Sequence, residues 1–316
     1  MTKWAIFISG LDSVCLKVVS SIFWSHMEDN RKAAIYALIA CLIWGSVYVA
    51  IKVGIDHGLK PLTFAGVRFL GGGLILLLIA WWKGSLRITF RDLLVLSAFG
   101  FFQTGVQNAC FFIGVGLTNA GIAAIFINTA PFFVMLFAPF FFSGSRLTFA
   151  RAAGVVTGFA GVIVTSMRHG LVNPGYELGV AALLGAALTW AGSNIAVKKI
   201  MEGRDTLTVT GVQMTTGALP LLALGMLREG NGLAGADMAG LSMLVYLIVF
   251  ATALPFFLWF RAIRLGEVGK VSIFAFTLPV LGVLSGWLLL GEPVNANILL
   301  GMLMVAAGIF IVNSRA

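Results

Sequence analysis

Residues 61–82 read PLTFAGVRFLGGGLILLLIAWW, and Arg68 is the single charged side chain among them. An α-helix needs about 20 apolar residues to cross the hydrocarbon core of a bilayer, so this stretch is long enough to span a membrane. Ionisable side chains are costly at that depth, and Arg68 lies too far from the start of the stretch to reach the interface easily. The stretch predicts a transmembrane helix with one cation that needs a structural or functional explanation.

The rest of the chain has the same apolar character. Hydrophobic residues make up 59% of the 316 residues and charged residues 10%, and the mean hydropathy is +1.01. A soluble domain carries roughly 25% charged residues, so this chain cannot cover a water-facing surface. The pattern predicts an all-α integral membrane protein whose main partner is the lipid bilayer, with ten transmembrane helices. The apolar segments lie at 33–53, 61–82, 92–114, 120–142, 148–167, 177–199, 206–227, 240–262, 269–290 and 296–313.

Residues 1–32 precede the first segment. Their apolar part, from Trp4 to Trp24, is interrupted by Asp12 and Lys17 and lacks a cleavage site of small residues, so we do not expect a signal peptide. An amphipathic helix on the membrane surface and a native start at Met27 are both open interpretations. We assign this leader no function.

Lysine and arginine are concentrated in alternate connections, for example at 83–91 and 198–204. The connections between these contain only Lys60, Arg168 and Arg228. Because basic connections stay in the cytoplasm, we predict a multi-pass protein of the cell inner membrane with both termini cytoplasmic. This placement also explains the net charge of +9, so we expect no nucleic-acid partner.

The sequence repeats at a period of about 147 residues, which is the mark of internal symmetry. The first segment contains WGSVYVAIK from Trp44, and the sixth contains WAGSNIAVK from Trp190. Each half holds five segments, and because five is odd the second half must enter the membrane in the opposite orientation. We therefore predict two inverted five-helix repeats, residues 33–170 and 171–316, an arrangement typical of transporters. Further matches pair Thr63, Gly66 and Val67 with Thr208, Gly211 and Val212, Thr129 and Pro131 with Thr277 and Pro279, and Gly154 and Gly161 with Gly301 and Gly308.

Several motifs of this sequence resemble those of a known family. The Trp-Gly-Ser start at Trp44, Arg68 within TFAGVRF, and Pro279 followed by LGEP at 290–293 are similar to the EamA family of the drug/metabolite transporter superfamily. The resemblance covers residues 33–313 and implies the five-plus-five layout and a small-metabolite cargo. In the first half, Ser143-Gly144 replaces Gly291-Glu292, so the resemblance does not imply an equivalent role for that loop.

Polar and aromatic side chains inside the apolar segments are our candidates for a substrate cavity, because polar groups are costly in hydrocarbon. The alternatives are hydrogen bonding between helices for the amides, ordinary packing for the aromatic rings, and bonds to helix-end carbonyls for Arg68. If functional, Arg68 anchors a carboxylate or belongs to a gate. We expect the cavity between the first, third, fourth, sixth, eighth and ninth helices, partly from the resemblance. The candidates are Trp44, Tyr48, Arg68, Gln103, Gln107, Asn108, Asn128, Trp190, Asn194 and Trp259.

Three prolines are candidates for helix breaks or gating positions, namely Pro131, Pro255 and Pro279. Proline removes a backbone donor and clashes with the preceding turn, which frees carbonyls that can face a substrate path. Pro131 and Pro279 occupy equivalent positions in the repeat. The alternative is a kink that only shapes packing.

No Asp, Glu or His lies well inside an apolar segment, and Cys15, Cys41 and Cys110 have no metal-binding spacing. We therefore predict no catalytic residue, cofactor or metal, and no obvious proton carrier. The function we predict is transport of a small metabolite by alternating access, with amino acids or related compounds first and efflux as the direction. The alternatives are an intramembrane enzyme, a lipid-handling protein or a non-transporting membrane sensor.

Overall fold

The computed structural model describes residues 29, 31–141, 149–166, 175–266, 271 and 273–314. The leader up to residue 28 lies outside the described residues. Over the described ranges the protein is helical and contains no strand. The helices are α1 (Arg31–Asp56), α2 (Pro61–Trp82), α3 (Phe90–Gly100), the π-helical turn π1 (Phe101–Val106), α4 (Gln107–Leu117), α5 (Ala120–Ile127), α6 (Ala130–Phe141), α7 (Phe149–Ser166), α8 (Tyr176–Ile200), α9 (Thr206–Glu229), α10 (Met238–Ile248), π2 (Val249–Ala253), α11 (Leu254–Leu265), a 3₁₀ turn (Ile273–Phe276), α12 (Thr277–Leu290) and α13 (Ala296–Ser314).

In the described part of the chain, five helical stretches are long and apolar enough on their own to cross a membrane: Arg31–Asp56, Pro61–Trp82, Tyr176–Val197, Thr206–Glu229 and Met238–Leu265. Shorter apolar helices accompany them at Ala120–Val134, Ala152–Gly161, Thr277–Leu290 and Ala296–Gly308. Large apolar side chains such as Leu78, Phe149 and Leu303 are exposed on the outer faces. A surface of this kind is stable in lipid, so the protein is an all-α membrane protein with several spans.

Helix starts are marked by short polar side chains at the ends of the apolar runs. Thr89 and Asp92 form a capping box at the start of α3, in which the Asp92 amide donates to Thr89 Oγ1 at 3.1 Å. At the start of α9, Asp205 accepts from the Thr208 amide at 3.1 Å. These caps satisfy the free N–H groups of a helix end and keep the carboxylates at the edges of the spans.

Two helix crossings bring the halves of the chain together, and each is built on glycine. Helix α2 packs against α9, with Gly66 against Leu222 and Gly211 against Leu77; a Cβ atom would come within 2.7 Å and 2.9 Å of those leucines. Helix α7 packs against α13 through Gly161 and Gly308 in the same manner. Small residues allow such close approach in membranes. The contacts are reciprocal, and the order of the contact positions makes each crossing antiparallel.

Two π-helical turns interrupt long helical stretches at matching positions. The turn π1 begins at Phe101 and π2 begins at Val249, which differ by about the repeat period. A π-turn inserts one residue into the helical ladder and is common at functional sites. Pro255 follows π2 directly, whereas the break between α5 and α6 at Asn128–Thr129 precedes Pro131. Pro279 lies in the first turn of α12, after the 3₁₀ turn.

Candidate substrate cavity

A cavity of about 50 Å³ lies inside the helical bundle, and seven of the predicted residues line it. One water molecule needs about 10–15 Å³ by this measure, so the cavity in this conformation holds only a few waters or a very small solute. Helix α2 also contributes to the wall, through Arg68 and Phe69. The predicted set of helices did not include this second helix. The predicted lining residues are Trp44, Tyr48, Arg68, Gln103, Gln107, Asn108 and Trp190, and the rest are Val47, Phe69, Phe111, Ile127, Phe256 and Leu278.

Arg68 is the one cation in the cavity wall and is only 2% exposed. Its Nε donates to Thr252 Oγ1 at 2.6 Å, and its Nη2 donates to the Ala251 carbonyl at 3.0 Å. The guanidinium carbon also lies 5.0 Å from the Phe69 ring centroid. No described carboxylate lies within ion-pair distance of Arg68, and three of its five N–H groups have no described acceptor. The positive charge at this site is therefore held in place by bonds to neutral groups and is not neutralised by any described carboxylate.

The local backbone explains why a carbonyl within a helical stretch is free to accept a hydrogen bond from Arg68. Both acceptors lie in π2, and Pro255 follows four residues after Ala251. Proline has no N–H group with which to close the usual helical bond to that carbonyl. The Ala251 oxygen is thus available to Arg68, and Pro255 contributes to the site through the backbone.

A matching contact joins Gln213 of α9 to Thr104 of π1. The Thr104 hydroxyl donates to Gln213 Oε1 at 2.7 Å, and both side chains are buried. In the sequence repeat Gln213 corresponds to Arg68, and in the aligned π-turns Thr104 corresponds to Thr252. Each half therefore extends one polar side chain to a threonine in the other half's π-turn. The chemistry differs, because one contact carries a charge and the other does not.

Three of the predicted residues, Gln103, Gln107 and Asn108, form the polar part of the cavity wall. Asn108 Nδ2 donates to the Gln103 carbonyl at 3.3 Å. Gln107 is 6% exposed, and its Oε1 has no hydrogen-bond partner among the described residues. A buried amide without a partner costs about 1–3 kcal/mol. Because Gln107 lines the cavity, a ligand donor placed there would recover that cost.

Aromatic rings form the opposite wall. The Trp44 ring lies 6.2 Å from Trp190 and 5.1 Å from Phe256, both in edge-to-face geometry. Trp259 packs behind Trp44 at 5.5 Å and is buried, but it does not line the cavity. This arrangement presents the faces and edges of two indoles to any bound solute.

Two further predicted residues, Asn128 and Asn194, do not line the cavity. Asn128 donates to Tyr48 Oη at 3.2 Å and to the Ala124 carbonyl at 2.7 Å, so it orients a lining residue from behind. Asn194 is half-buried on α8 and is not part of the wall. Tyr48 and Asn128 thus act as one unit, whereas Asn194 is not brought into the site.

Two glutamates that cap helices were not among the residues predicted from the sequence. Glu292 accepts hydrogen bonds from the Ala120 and Gly121 amides at 2.7 and 3.0 Å. Glu229 accepts from the Leu62 and Thr63 amides at 2.8 and 2.9 Å. A carboxylate at a helix N-terminus is stabilised by the free N–H groups and the helix dipole. Residues of the second half therefore cap α5 and α2 of the first half. The only available signal was the LGEP sequence, which does not reveal the partner.

No group of three or more His, Cys, Asp or Glu side chains that could hold a metal ion occurs among the residues that the structure describes.

The sequence pattern of the EamA-like transporter family matches the chain twice, at residues 31–167 and 177–314. A protein of Salmonella typhimurium named "probable amino-acid metabolite efflux pump" is 29% identical over 296 residues, which cover 89% of this chain and 95% of that protein. An uncharacterized transporter of Archaeoglobus fulgidus is 27% identical over 284 residues, or 89% and 98% of the two chains. The uncharacterized inner membrane transporter YedA of Escherichia coli is 29% identical over 270 residues, which cover 83% of each chain.

A solved crystal structure has the same fold. It superimposes with a TM-score of 0.68 at 20% identity, over 91% of this chain and 99% of that one. The family pattern covers nearly all of the chain and confirms the resemblance predicted from its motifs. This chain therefore belongs to the EamA-like transporter family of the drug/metabolite transporter superfamily.

Proposed function

We propose that this transporter moves amino acids or closely related metabolites out of the cell, through the cavity at Arg68, by alternating access. The observation that carries the proposal is the buried guanidinium of Arg68, which faces the cavity and has no described carboxylate partner. A fixed, unneutralised cation favours a ligand that brings its own negative charge. It disfavours a permanent cation, which would lack a counter-charge.

The remaining wall suits the ammonium group of a zwitterion. Gln107 Oε1 is a free acceptor at the cavity, and the rings of Trp44 and Trp190 can attract a cation through their π faces. A carboxylate at Arg68 and an ammonium group between Gln107 and the indoles would bind polar atoms that have no partner among the described residues. The name of the Salmonella typhimurium relative agrees with this cargo class.

The inverted repeat with five helices in each half is part of the same proposal. The antiparallel glycine crossings support it, because Gly66 contacts Leu222 while the equivalent Gly211 contacts Leu77. Reciprocal contacts of this kind are expected of two-fold symmetry, and the antiparallel direction is expected when the halves enter the membrane oppositely. The two separate family matches agree with a division into residues 33–170 and 171–316. Together with the basic connections, this supports a topology in which both termini lie in the cytoplasm and the protein spans the inner membrane.

Topology is tested by reporter fusions after Arg168 and after Lys199. The proposal expects opposite sidedness, with the second point cytoplasmic. Equal sidedness at the two points would refute the inverted repeat.

Cargo class is tested by ligand binding to the purified protein, read as quenching of Trp44 and Trp190 fluorescence. The panel contains amino acids, the matching amines without a carboxylate, and the matching acids without an ammonium group. We expect the amines to bind at least about tenfold more weakly than the amino acids, which corresponds to about 1.4 kcal/mol. The titration uses a variant in which only Trp44 and Trp190 remain, with phenylalanine at Trp4, Trp24, Trp81, Trp82, Trp259 and Trp287. Equal affinity for amine and amino acid would contradict the role of Arg68.

A further inference from the structure

We infer that this conformation is closed along a seam between α1 and α10 and open along its symmetry-related cleft between α3 and α8, and that these two gates exchange during transport. The inference rests on the proposed inverted repeat. It adds the positions of the two gates, the state of each gate in this structure, and the helical turns about which they move.

The closed seam is held by hydroxyl groups. Ser46 Oγ lies 2.6 Å from Tyr246 Oη, which joins α1 to α10. One residue earlier, the Gly45 carbonyl accepts from Ser285 Oγ of α12 at 3.1 Å. A Cβ atom on Gly45 would lie 2.7 Å from Leu281, so no space separates these helices. The seam is therefore sealed by contacts among three elements.

The repeat assigns an equivalent to each seam residue. Aligning Trp44 with Trp190 makes Gly192 the counterpart of Ser46, and aligning π2 with π1 makes Ala98 the counterpart of Tyr246. Both counterparts are exposed, and a Cβ atom on Gly192 would meet no atom within 4 Å. The contact that closes one end is thus absent at the other end.

A cleft of about 740 Å³ takes the place of that contact. It is bounded by Val95 of α3, Phe137 of α6 and the face of α8 that contains Gly192 and Lys199. By the proposed topology this is the cytoplasmic half of the bundle. Further along, Gly114 of α4 packs directly against Leu183 of α8. The α3–π1–α4 stretch therefore diverges from α8 on one side of π1 and contacts it on the other.

The start of α3 remains tied while the cleft is open. Arg204 pairs with Asp92 Oδ1 at 2.7 Å, and at the opposite end His57 pairs with Asp237 at 2.7 Å. Because the starts of both α3 and α10 are anchored, closure of the cleft requires bending within each stretch. The π-turns are the positions where the helical ladder is already interrupted, so they serve as the matched hinges.

Hydrogen bonding makes the two gates unequal. Ser46 and Tyr246 form a bond across the seam, whereas Gly192 and Ala98 have no side-chain polar group to form one. The state with a closed seam is therefore favoured when no cargo is bound, and cargo must supply the energy that closes the cleft.

The exchange of gates is tested by cross-linking in a background in which Cys15, Cys41 and Cys110 are replaced by serine or alanine. A short bis-thiosulfonate reagent is used, because the long Tyr246 side chain bridges a gap that a direct disulfide does not. Ser46→Cys with Tyr246→Cys should cross-link readily. Ala98→Cys with Gly192→Cys should cross-link in only a minor fraction of molecules, and this fraction should rise when an amino acid is added. In the variant with all four cysteines, we expect one cross-link or the other in each molecule. Both cross-links in one molecule would overturn the inference.

A second test of the cleft gate uses a substitution at Gly192 and a transport measurement, and it needs no cross-linking. A Cβ atom on Gly192 would meet no atom within 4 Å, and leucine is a better helix former than glycine, so Gly192→Leu should not lower thermal stability. Its side chain would obstruct closure of the cleft, so we expect transport to fall at least about tenfold, or about 1.4 kcal/mol. Ala181→Leu, on an exposed position of the same helix outside the cleft, is the matched control and should transport normally. Full transport by Gly192→Leu would contradict the assignment of the gate. The mutual exclusion of the two cross-links is measured without added cargo, so exclusive cross-links without amino-acid transport would overturn the cargo proposal and leave the gates intact.

Discussion

Arg68 and Thr252 are 184 residues apart in the sequence and are joined by a hydrogen bond of 2.6 Å beside the cavity. This contact places a fixed positive charge where cargo is expected, and it ties a helix of one half to the π-turn of the other. Thr104 and Gln213 form the uncharged version of the same contact at 2.7 Å. Because only one of the two contacts is charged, a carboxylate of the cargo is expected to bind at the Arg68 side of the site.

Replacing Arg68 by methionine should weaken amino-acid binding by about ten- to a hundredfold, because a hydrogen-bonded charge contributes about 1.5–3 kcal/mol. Arg68→Lys should recover only part of the affinity, since lysine lacks the planar fork that binds two acceptors. Thr252→Ser keeps the acceptor and should bind normally, whereas Thr252→Val should not. The measurement is the fluorescence titration described above. Unchanged affinity in Arg68→Met would show that cargo does not contact this charge.

The Thr104–Gln213 contact should stabilise the fold and have no direct effect on cargo. Thr104→Val or Gln213→Leu alone leaves one buried polar partner unpaired, at a cost of about 1–3 kcal/mol. The double variant should lose less than the sum of the two single variants, with a coupling of about 0.5–3 kcal/mol. Thermal or denaturant unfolding in detergent gives the three values. Simple additivity would mean that the bond makes no energetic contribution.

The carboxylate of Glu292 should stabilise the start of α5. Glu292→Gln removes the negative charge while keeping the shape, so we expect a loss of about 1 kcal/mol in the free energy of unfolding. Glu229→Gln should behave in the same way at the start of α2. Glu202→Gln is the control, because Glu202 is exposed, lies after the end of α8 and has no side-chain hydrogen bond among the described contacts. Equal melting temperatures for Glu292→Gln and the parent protein would rule out the capping role.

The contact between His57 and Asp237 should make stability depend on pH. The Gly240 amide, which donates at 2.9 Å, and then His57 lower the pKa of the Asp237 carboxyl below its ordinary value. A lowered pKa in the folded state stabilises the protein above the ordinary carboxyl pKa of about 3.9, and this stabilisation is lost as the pH falls through the folded value. Asp237→Asn should therefore melt below the parent protein at pH 7, and the difference should shrink progressively as the pH falls below about 3.9. The exposed Glu202, substituted by Gln, is the control, and a difference that is independent of pH would contradict the prediction.

The sequence allowed the membrane class and seven of the thirteen residues that line the cavity to be predicted, for identifiable reasons. Apolar spans are visible in composition, and costly polar residues such as Arg68 and Gln107 stand out within them. The π-turns were not predicted, because an apolar pattern at helical spacing does not distinguish an α-helix from one with an inserted residue. The capping by Glu292 was not predicted either, since its partners lie 171 and 172 residues away. Trp259 and Asn194 were good candidates by type, but their positions on the helices direct them away from the cavity wall.

We propose transport of a zwitterionic cargo through the Arg68 cavity, and because no Asp, Glu or His lies well inside an apolar segment, we expect this transport not to be coupled to protons. The most direct test of this proposal is counterflow in proteoliposomes that are preloaded with an unlabelled amino acid and supplied with a labelled one, with and without an imposed pH gradient at zero membrane potential. We predict saturable exchange by the parent protein, loss of exchange in Arg68→Met, and no accumulation driven by the pH gradient. A pH gradient that drives accumulation would contradict uncoupled transport, and the border residues Glu177 and Glu267 would then be the first to substitute. Saturable exchange of a quaternary ammonium compound, retained in Arg68→Met and without any exchange of amino acids, would contradict the account of the cargo.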